Sequence, residues 1–398
     1  MNPLPECKPS PRLLLGPGPS MIHPRVLKAL GTPMLGHLDP EFLHIMDEVQ
    51  ASLRWLFHTR NSFTIVISGT GSAAMETAIV NLVEPGDMVM VGISGIFGIR
   101  LASMVERCGG KPIRIEVPWG QWIDPGQIEN ALRHSGPVKA VALVHAETST
   151  GVYQPIAEIG TLCRNHDALF IVDTVTSLGG MPVDVDGWKI DACYSATQKC
   201  LSCPPGLAPL TLNERAMAII RKRQYPCQSW YLDCALVADY WNDTKRTYHH
   251  TAPISMVYGL RESLRLIQEE GLEPRFHRHR VHSDALIAGL QILGFQLLPS
   301  WGHHLPPLTC VKVPSHLDEL EIRKRLLNEC QIEIGGGLGP LGGKVWRIGL
   351  MGESSRFEHV LALLSALERL LAQTAGKITP GESLKAAAES LSGAAPVG

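Results

Sequence analysis

Short apolar runs alternate with longer amphipathic ones through the first two thirds of the chain. Phe63–Ile67, Met88–Gly92, Pro112–Val117, Lys139–Val144 and Ala168–Asp173 form one series, and Ala192–Tyr194 and Ala208–Leu212 continue it. Most of these runs lack polar alternation, which predicts strands covered on both faces. Between them Gly71–Leu82, Pro125–Arg133 and Ile156–Asn165 carry helical spacing. Strand and helix in alternation imply an α/β fold with a mainly parallel sheet and helices on both faces. The rhythm changes after about residue 255. Two long helical stretches, Met256–Glu270 and Arg275–Leu293, lead into short strands at Phe295–Leu298, Thr309–Val313, Ile332–Ile334 and Val345–Gly349. Helices at Leu317–Asn328 and Glu358–Leu371 sit among them, as in a small α+β domain with antiparallel pairing. The expected division is an N-terminal arm over 1–12, a large domain over 13–255, a small domain over 256–372 and a low-complexity tail over 373–398. The tail, with at most a stray helix over Ser383–Ser392, is expected to add little to the core.

Composition narrows the function classes. The chain has 398 residues, 45% apolar and 19% charged, with a net charge of −2. That is too apolar for a disordered chain and lacks the basic excess of a nucleic-acid binder. No run approaches the roughly 18 apolar residues of a membrane span. The N-terminus has no apolar core like a signal peptide's, and ten scattered cysteines read as reduced thiols. A cytoplasmic protein is expected.

Four segments carry possible chemistry. Ser68-Gly-Thr-Gly-Ser-Ala-Ala74 follows an expected strand and opens an expected helix. Free backbone N–H groups at such a junction attract an anion, and Thr70 and Ser72 add hydroxyl donors. Gly69-x-Gly71-x-x-Ala74 also matches a dinucleotide fingerprint, but the following strand offers no ribose-binding carboxylate. A plain tight turn is the bland alternative. Asp173 ends an apolar strand, where ligands gather in parallel sheets; it pairs with a cofactor ring nitrogen or with a helix N-terminus. Lys199 stands in an uncharged run before Pro204-Pro-Gly206. It is either a surface charge or a desolvated amine fit for Schiff-base chemistry. Cys200-x-x-Cys203 lacks the second pair a zinc site needs, so no metal is expected. Arg347, a lone cation in an apolar strand, wants a carboxylate from a substrate or from the protein. The basic run Arg275–His282 reads mostly as a solvated face. A phosphate cradle, a strand-end Asp and a downstream Lys together fit pyridoxal 5′-phosphate.

In this setting the sequence resembles the class V aminotransferases, closest to the alanine–glyoxylate and serine–pyruvate group. The likeness rests on Leu-Leu-Leu-Gly16-Pro-Gly18-Pro-Ser, Ser-Gly-Thr-Gly-Ser, Glu147-Thr-Ser-Thr-Gly151, Val-Asp173-Thr-Val175-Thr-Ser-Leu-Gly-Gly, Gln198-Lys199, Tyr248-His-His-Thr251 and Gly-Gly-Leu-Gly-Pro…Arg347-Ile-Gly-Leu, and runs from about Leu13 to Ala372. It implies a fold type I enzyme whose large domain holds a seven-stranded, mainly parallel sheet. Lys199 would be the Schiff-base lysine and proton shuttle, and Asp173 the partner of the pyridinium nitrogen. Val175 and Phe97 would hold the two ring faces, and Thr148 would reach the ring hydroxyl. Thr70, Gly71, Ser72 and Gln198 would bind the phosphate, joined by Tyr248 and Thr251 of a second subunit in a homodimer. Arg347 would hold the substrate carboxylate, with Gly18 in the substrate site. Ser72 and Phe97 replace a His and a Trp seen in relatives, and each keeps the role. His37 either lines the pocket near the dimer seam or caps a helix, the second reading being preferred. The expected activity moves the amino group of alanine or serine to glyoxylate or pyruvate. The alternatives are ureidoglycine–glyoxylate transamination, another class V enzyme such as a cysteine desulfurase (which Phe97 disfavours), a nicotinamide dehydrogenase, and a non-catalytic subunit of a redox complex.

Overall fold

The computed structural model describes residues 3–241, 246–374 and 378–393. Its central sheet has seven strands in the order Phe63–Ser68, Leu207–Leu212, Ala192–Tyr194, Leu169–Asp173, Ala140–Val144, Met88–Ile93 and Lys111–Glu116. Leu207–Leu212 runs antiparallel to both its neighbours, and the remaining pairs are parallel. Ala140–Val144 and Leu169–Asp173 are buried at every residue, as their unbroken apolar character demands. Lys111–Glu116 has no fully buried residue because it is the sheet edge, and its exposed positions are the charged Lys111, Arg114 and Glu116.

The six parallel strands all end on one side. There the chain turns into Gly69–Ser72, Ser94–Phe97, His145–Thr148, Thr174–Val175 and Ser195–Lys199, the place where parallel sheets collect ligands. Helix Gly71–Leu82 leaves the first strand and helix Ile96–Arg107 leaves the strand Met88–Ile93. Pro40–Phe57 buries Phe42, Met46, Val49 and Leu53 against the large core at i, i+4, i+7 and i+11 spacing.

A second core lies in the C-terminal part. A four-stranded antiparallel sheet, ordered Gln296–Leu297, Leu308–Lys312, Val345–Gly349, Gly335–Gly336, packs with helices Leu272–Ile292, Glu319–Cys330 and Phe357–Thr374. Three differences from the sequence expectations have physical causes. Leu13–Leu14, placed with the large domain, pairs in parallel with Ile332–Glu333, and Leu15 is buried in the small core. The tail segment Glu382–Gly393 is a helix that puts Ala387 in that core. Gly289 leaves room for it, and Glu368 accepts hydrogen bonds from Gly381 and Ser383 at its start. The expected low contribution of this segment is therefore corrected where it is described; residues 394–398 lie outside the described residues.

The third difference concerns the basic run. Arg275 and His279 are buried, and Arg280 is exposed. Arg275 donates to the carbonyls of Gly179 at 2.7 Å and Cys200 at 2.6 Å while pairing with Glu270. His279 accepts from the Gly352 amide at 2.9 Å. The run thus ties the Lys199 turn to the C-terminal core, with the charges of Arg275 and Arg278 met by carbonyls and Glu270. No helix among the described residues is long and apolar enough to cross a membrane.

Candidate active site

The turns at the sheet's C-terminal side enclose a cavity of about 230 Å³. Thr70, Gly71, Ser72, Phe97, Thr148, Asp173, Val175, Gln198 and Lys199 all line it. One end is the start of helix Gly71–Leu82, where Thr70 makes no side-chain cap bond and leaves the first amides to the cavity. Gly71 is needed for closeness: a Cβ there would lie 2.8 Å from the Ala196 Cβ. The buried Gln198 Oε1 has no hydrogen-bond partner among the described residues.

Asp173 enters from the end of its strand and accepts from the Val175 amide at 2.8 Å. Burial raises its carboxyl to about 7, against the lowering effect of that amide. Lys199 stands across from it. Loss of hydration lowers its ammonium to about 8, and the nearby Arg347 cation adds to the fall. Its Nζ donates to the Pro17 carbonyl. Gly18, at φ +108°, could carry no side chain without displacing this lysine, since a Cβ would lie 2.8 Å from Lys199 Cδ.

Arg347 reaches the site from the strand Val345–Gly349 of the C-terminal sheet. Its Nε donates to the Gly336 carbonyl at 2.8 Å and its Nη1 to the Thr148 carbonyl at 3.4 Å. Among the described residues no carboxylate pairs with it, so part of its fork is unused by the protein.

The sequence pattern does not single out two residues that matter here. Glu147 is fully buried; it accepts from the Phe97 amide at 3.0 Å and from Ser149 Oγ at 2.5 Å, with burial raising its carboxyl. It holds the start of helix Ile96–Arg107, and so the Phe97 ring, in place. Arg100 lines the cavity three residues after Phe97. Only recognition of that helix would have put Arg100 and Phe97 on one face.

Tyr248 and Thr251 do not join the cavity. Both are exposed, with their hydroxyls 3.4 Å apart. His37 is not a helix cap: Asp39 caps Pro40–Phe57 by accepting from the Glu41 amide, and His37 packs its ring 5.1 Å from that of Tyr248. Cys200 and Cys203 are buried free thiols, and no cluster of three or more metal-ligating side chains occurs among the described residues.

A family model described as Aminotransferase class-V matches residues 13–340. The chain is a class V aminotransferase. Over 394 residues it is 43% identical to an (S)-ureidoglycine–glyoxylate transaminase of Bacillus subtilis (strain 168), covering 94% of each. It is 42% identical over 370 residues to an alanine–glyoxylate aminotransferase of Oryctolagus cuniculus, covering 92% of this chain and 94% of that one. The crystal structure of an alanine–glyoxylate aminotransferase from Nostoc sp. superposes with a TM-score of 0.91 at 48% identity, covering 93% of this chain and 98% of that one. The aminotransferase thus has the fold type I architecture, and its family implies pyridoxal phosphate. The cavity fits that group. An uncapped helix start suits a phosphate, a buried carboxyl suits a ring nitrogen, and a desolvated amine suits an aldehyde.

Proposed function

We propose that this aminotransferase moves the amino group of a small amino acid, alanine or serine, to glyoxylate. The observation that carries the reading is the convergence of Lys199, Asp173 and an open helix start on one cavity, with Arg347, which no carboxylate pairs among the described residues, beside its Thr148 wall. One carboxylate grip matches a monocarboxylate donor better than a dicarboxylate one. Relatives named for alanine–glyoxylate transfer support the acceptor. A ureidoglycine donor is the second reading, supported by the Bacillus subtilis relative.

Pyridoxal phosphate, when bound, supplies an electrophilic aldehyde and a ring able to take up the electron pair released at the donor Cα. Thr70, Gly71, Ser72 and Gln198 would hold its phosphate, and Val175 and Phe97 would hold its ring. Thr148 would reach the ring hydroxyl. Lys199 Nζ, neutral in a useful fraction near pH 8, would be the amine that meets the aldehyde and the base that holds and moves the donor Cα proton. Asp173 would stand opposite the ring nitrogen and keep it protonated. Arg347 receives the substrate carboxylate, and Gly18 leaves room beside Lys199 for the donor. Tyr248 and Thr251, both exposed with their hydroxyls 3.4 Å apart, would complete a second subunit's phosphate site in a homodimer.

Two results are expected. The cofactor-free chain should capture pyridoxal phosphate at a rate that rises with pH, half-maximal near 8, because only the neutral amine attacks. Arg347→Gln should move that midpoint upward by removing a like charge. Rapid-mixing absorbance over pH 6 to 10 checks both. In steady-state assays, Arg347→Gln should raise KM for L-alanine by roughly 10- to 100-fold through loss of a charge-assisted fork.

Donor choice is tested by comparing kcat/KM for L-alanine, L-serine, (S)-ureidoglycine and L-aspartate with glyoxylate as acceptor. L-Alanine or L-serine should exceed L-aspartate by roughly 100-fold. Preference for (S)-ureidoglycine would transfer the assignment to the second reading, and preference for L-aspartate would overturn both.

A further inference from the structure

A phosphate dianion bound at the helix start would meet neutral donors: the Gly71 and Ser72 amides, the Thr70 and Ser72 hydroxyls and the Gln198 amide. Helix termini supply only about half a charge. Among the described residues, two cationic side chains line the cavity, Lys199 and Arg100. Lys199 is committed to the aldehyde, at the other end of the cofactor from its phosphate. Arg100 is not committed to any carboxylate among the described residues. Its Nη1 instead donates to Ser72 Oγ at 3.1 Å, on the first turn of the phosphate-facing helix. Its guanidinium carbon lies 5.0 Å from the centre of the Phe97 ring. Helix Ile96–Arg107 fixes this arrangement, since Phe97 and Arg100 are three residues apart on one face. Glu147, by accepting from the Phe97 and Gly98 amides, sets the start of that helix and hence the place of both side chains.

We propose that Arg100 is the ionic ligand of the cofactor phosphate, reaching it beside Ser72 and packed in place by Phe97. The geometry explains how a serine can stand at position 72. A hydroxyl is a neutral donor, and the neighbouring guanidinium brings the charge that it lacks. The bond between them also leaves the Ser72 oxygen oriented by Arg100, so the pair acts as a unit.

The inference rests on the cofactor reading above, and the experiment separates the two. The full-length chain, freed of cofactor, is titrated by absorbance with pyridoxal phosphate and with pyridoxal, which lacks the phosphate. Arg100→Met should weaken pyridoxal phosphate binding by at least about tenfold, the scale of one charge-assisted hydrogen bond. Pyridoxal binding should change by less than about threefold, which also shows that the variant is folded. Arg100→Lys, which keeps the charge but loses the fork, should fall between. Equal weakening of both ligands would overturn the proposal, because Arg100 would then act through the Phe97 ring. Unchanged pyridoxal phosphate binding would overturn it as well. A wild-type chain that binds neither compound would overturn the cofactor reading itself.

Discussion

Lys199→Ala should abolish transamination, with kcat reduced by at least about 10⁴-fold. The size follows from two duties on one atom. In the proposed function Lys199 Nζ would be both the amine that meets the aldehyde and the base that moves the Cα proton, and no second lysine lines the cavity among the described residues. The surroundings are built for a neutral amine. Burial and the Arg347 cation lower its ammonium to about 8, and the Pro17 carbonyl accepts a hydrogen bond from Nζ. The fold should survive the change. The turn around residue 199 is held by its backbone, through the Lys199 carbonyl accepting from Ser20 Oγ at 2.7 Å and the Cys200 carbonyl accepting from Arg275. Steady-state rates together with thermal unfolding check this: activity lost, melting temperature nearly kept. A variant retaining more than one percent of the wild-type rate would refute the role.

Asp173→Asn should lower kcat by roughly 10²- to 10⁴-fold while leaving the cofactor attached through Lys199. Burial holds the Asp173 carboxyl near 7, outweighing the Val175 amide, the Tyr194 hydroxyl and the Lys199 cation that favour its charge. A ring nitrogen opposite it would share that proton and restore the ionised form. An amide can hydrogen-bond the ring but cannot hold the nitrogen protonated. The ring then accepts the released electron pair poorly, and the proton transfer by Lys199 slows. The visible absorbance of the bound cofactor should persist in the variant, and the half-reaction with L-alanine, followed by stopped flow, should show the slow step. Wild-type rates in Asp173→Asn would contradict this placement.

Much of the large domain was legible because its strands announce themselves. Runs such as Ala140–Val144 and Leu169–Asp173 are apolar on both faces, and both faces are in fact buried. Lys199, Asp173 and the Ser68–Ala74 turn were readable for a related reason: polar groups of few types standing at the ends of apolar strands. What escaped depends on contacts distant in sequence. The N-terminal strand finds Ile332–Glu333, and the Ala-rich tail packs onto Leu272–Ile292, because small residues at Gly289 and Ala387 allow close approach. No local pattern predicts either. Arg275 and His279 looked like surface because the run is basic, yet carbonyls from Gly179 and Cys200 and the Gly352 amide absorb their polarity. Glu147 and Arg100 were hidden in the same way, since their partners lie on other elements. His37 shows the limit of reading a cap from residue type, with Asp39 two positions on doing that work.

The most direct test of the central claim is the visible spectrum of the purified protein carrying pyridoxal phosphate, recorded before and after L-alanine is added without an acceptor. The cofactor band should decline as the amino group is taken up, pyruvate should appear in equal amount, and glyoxylate should restore the band with formation of glycine. A band that no small amino acid shifts, with no keto acid released, would contradict the account of a glyoxylate-accepting transaminase.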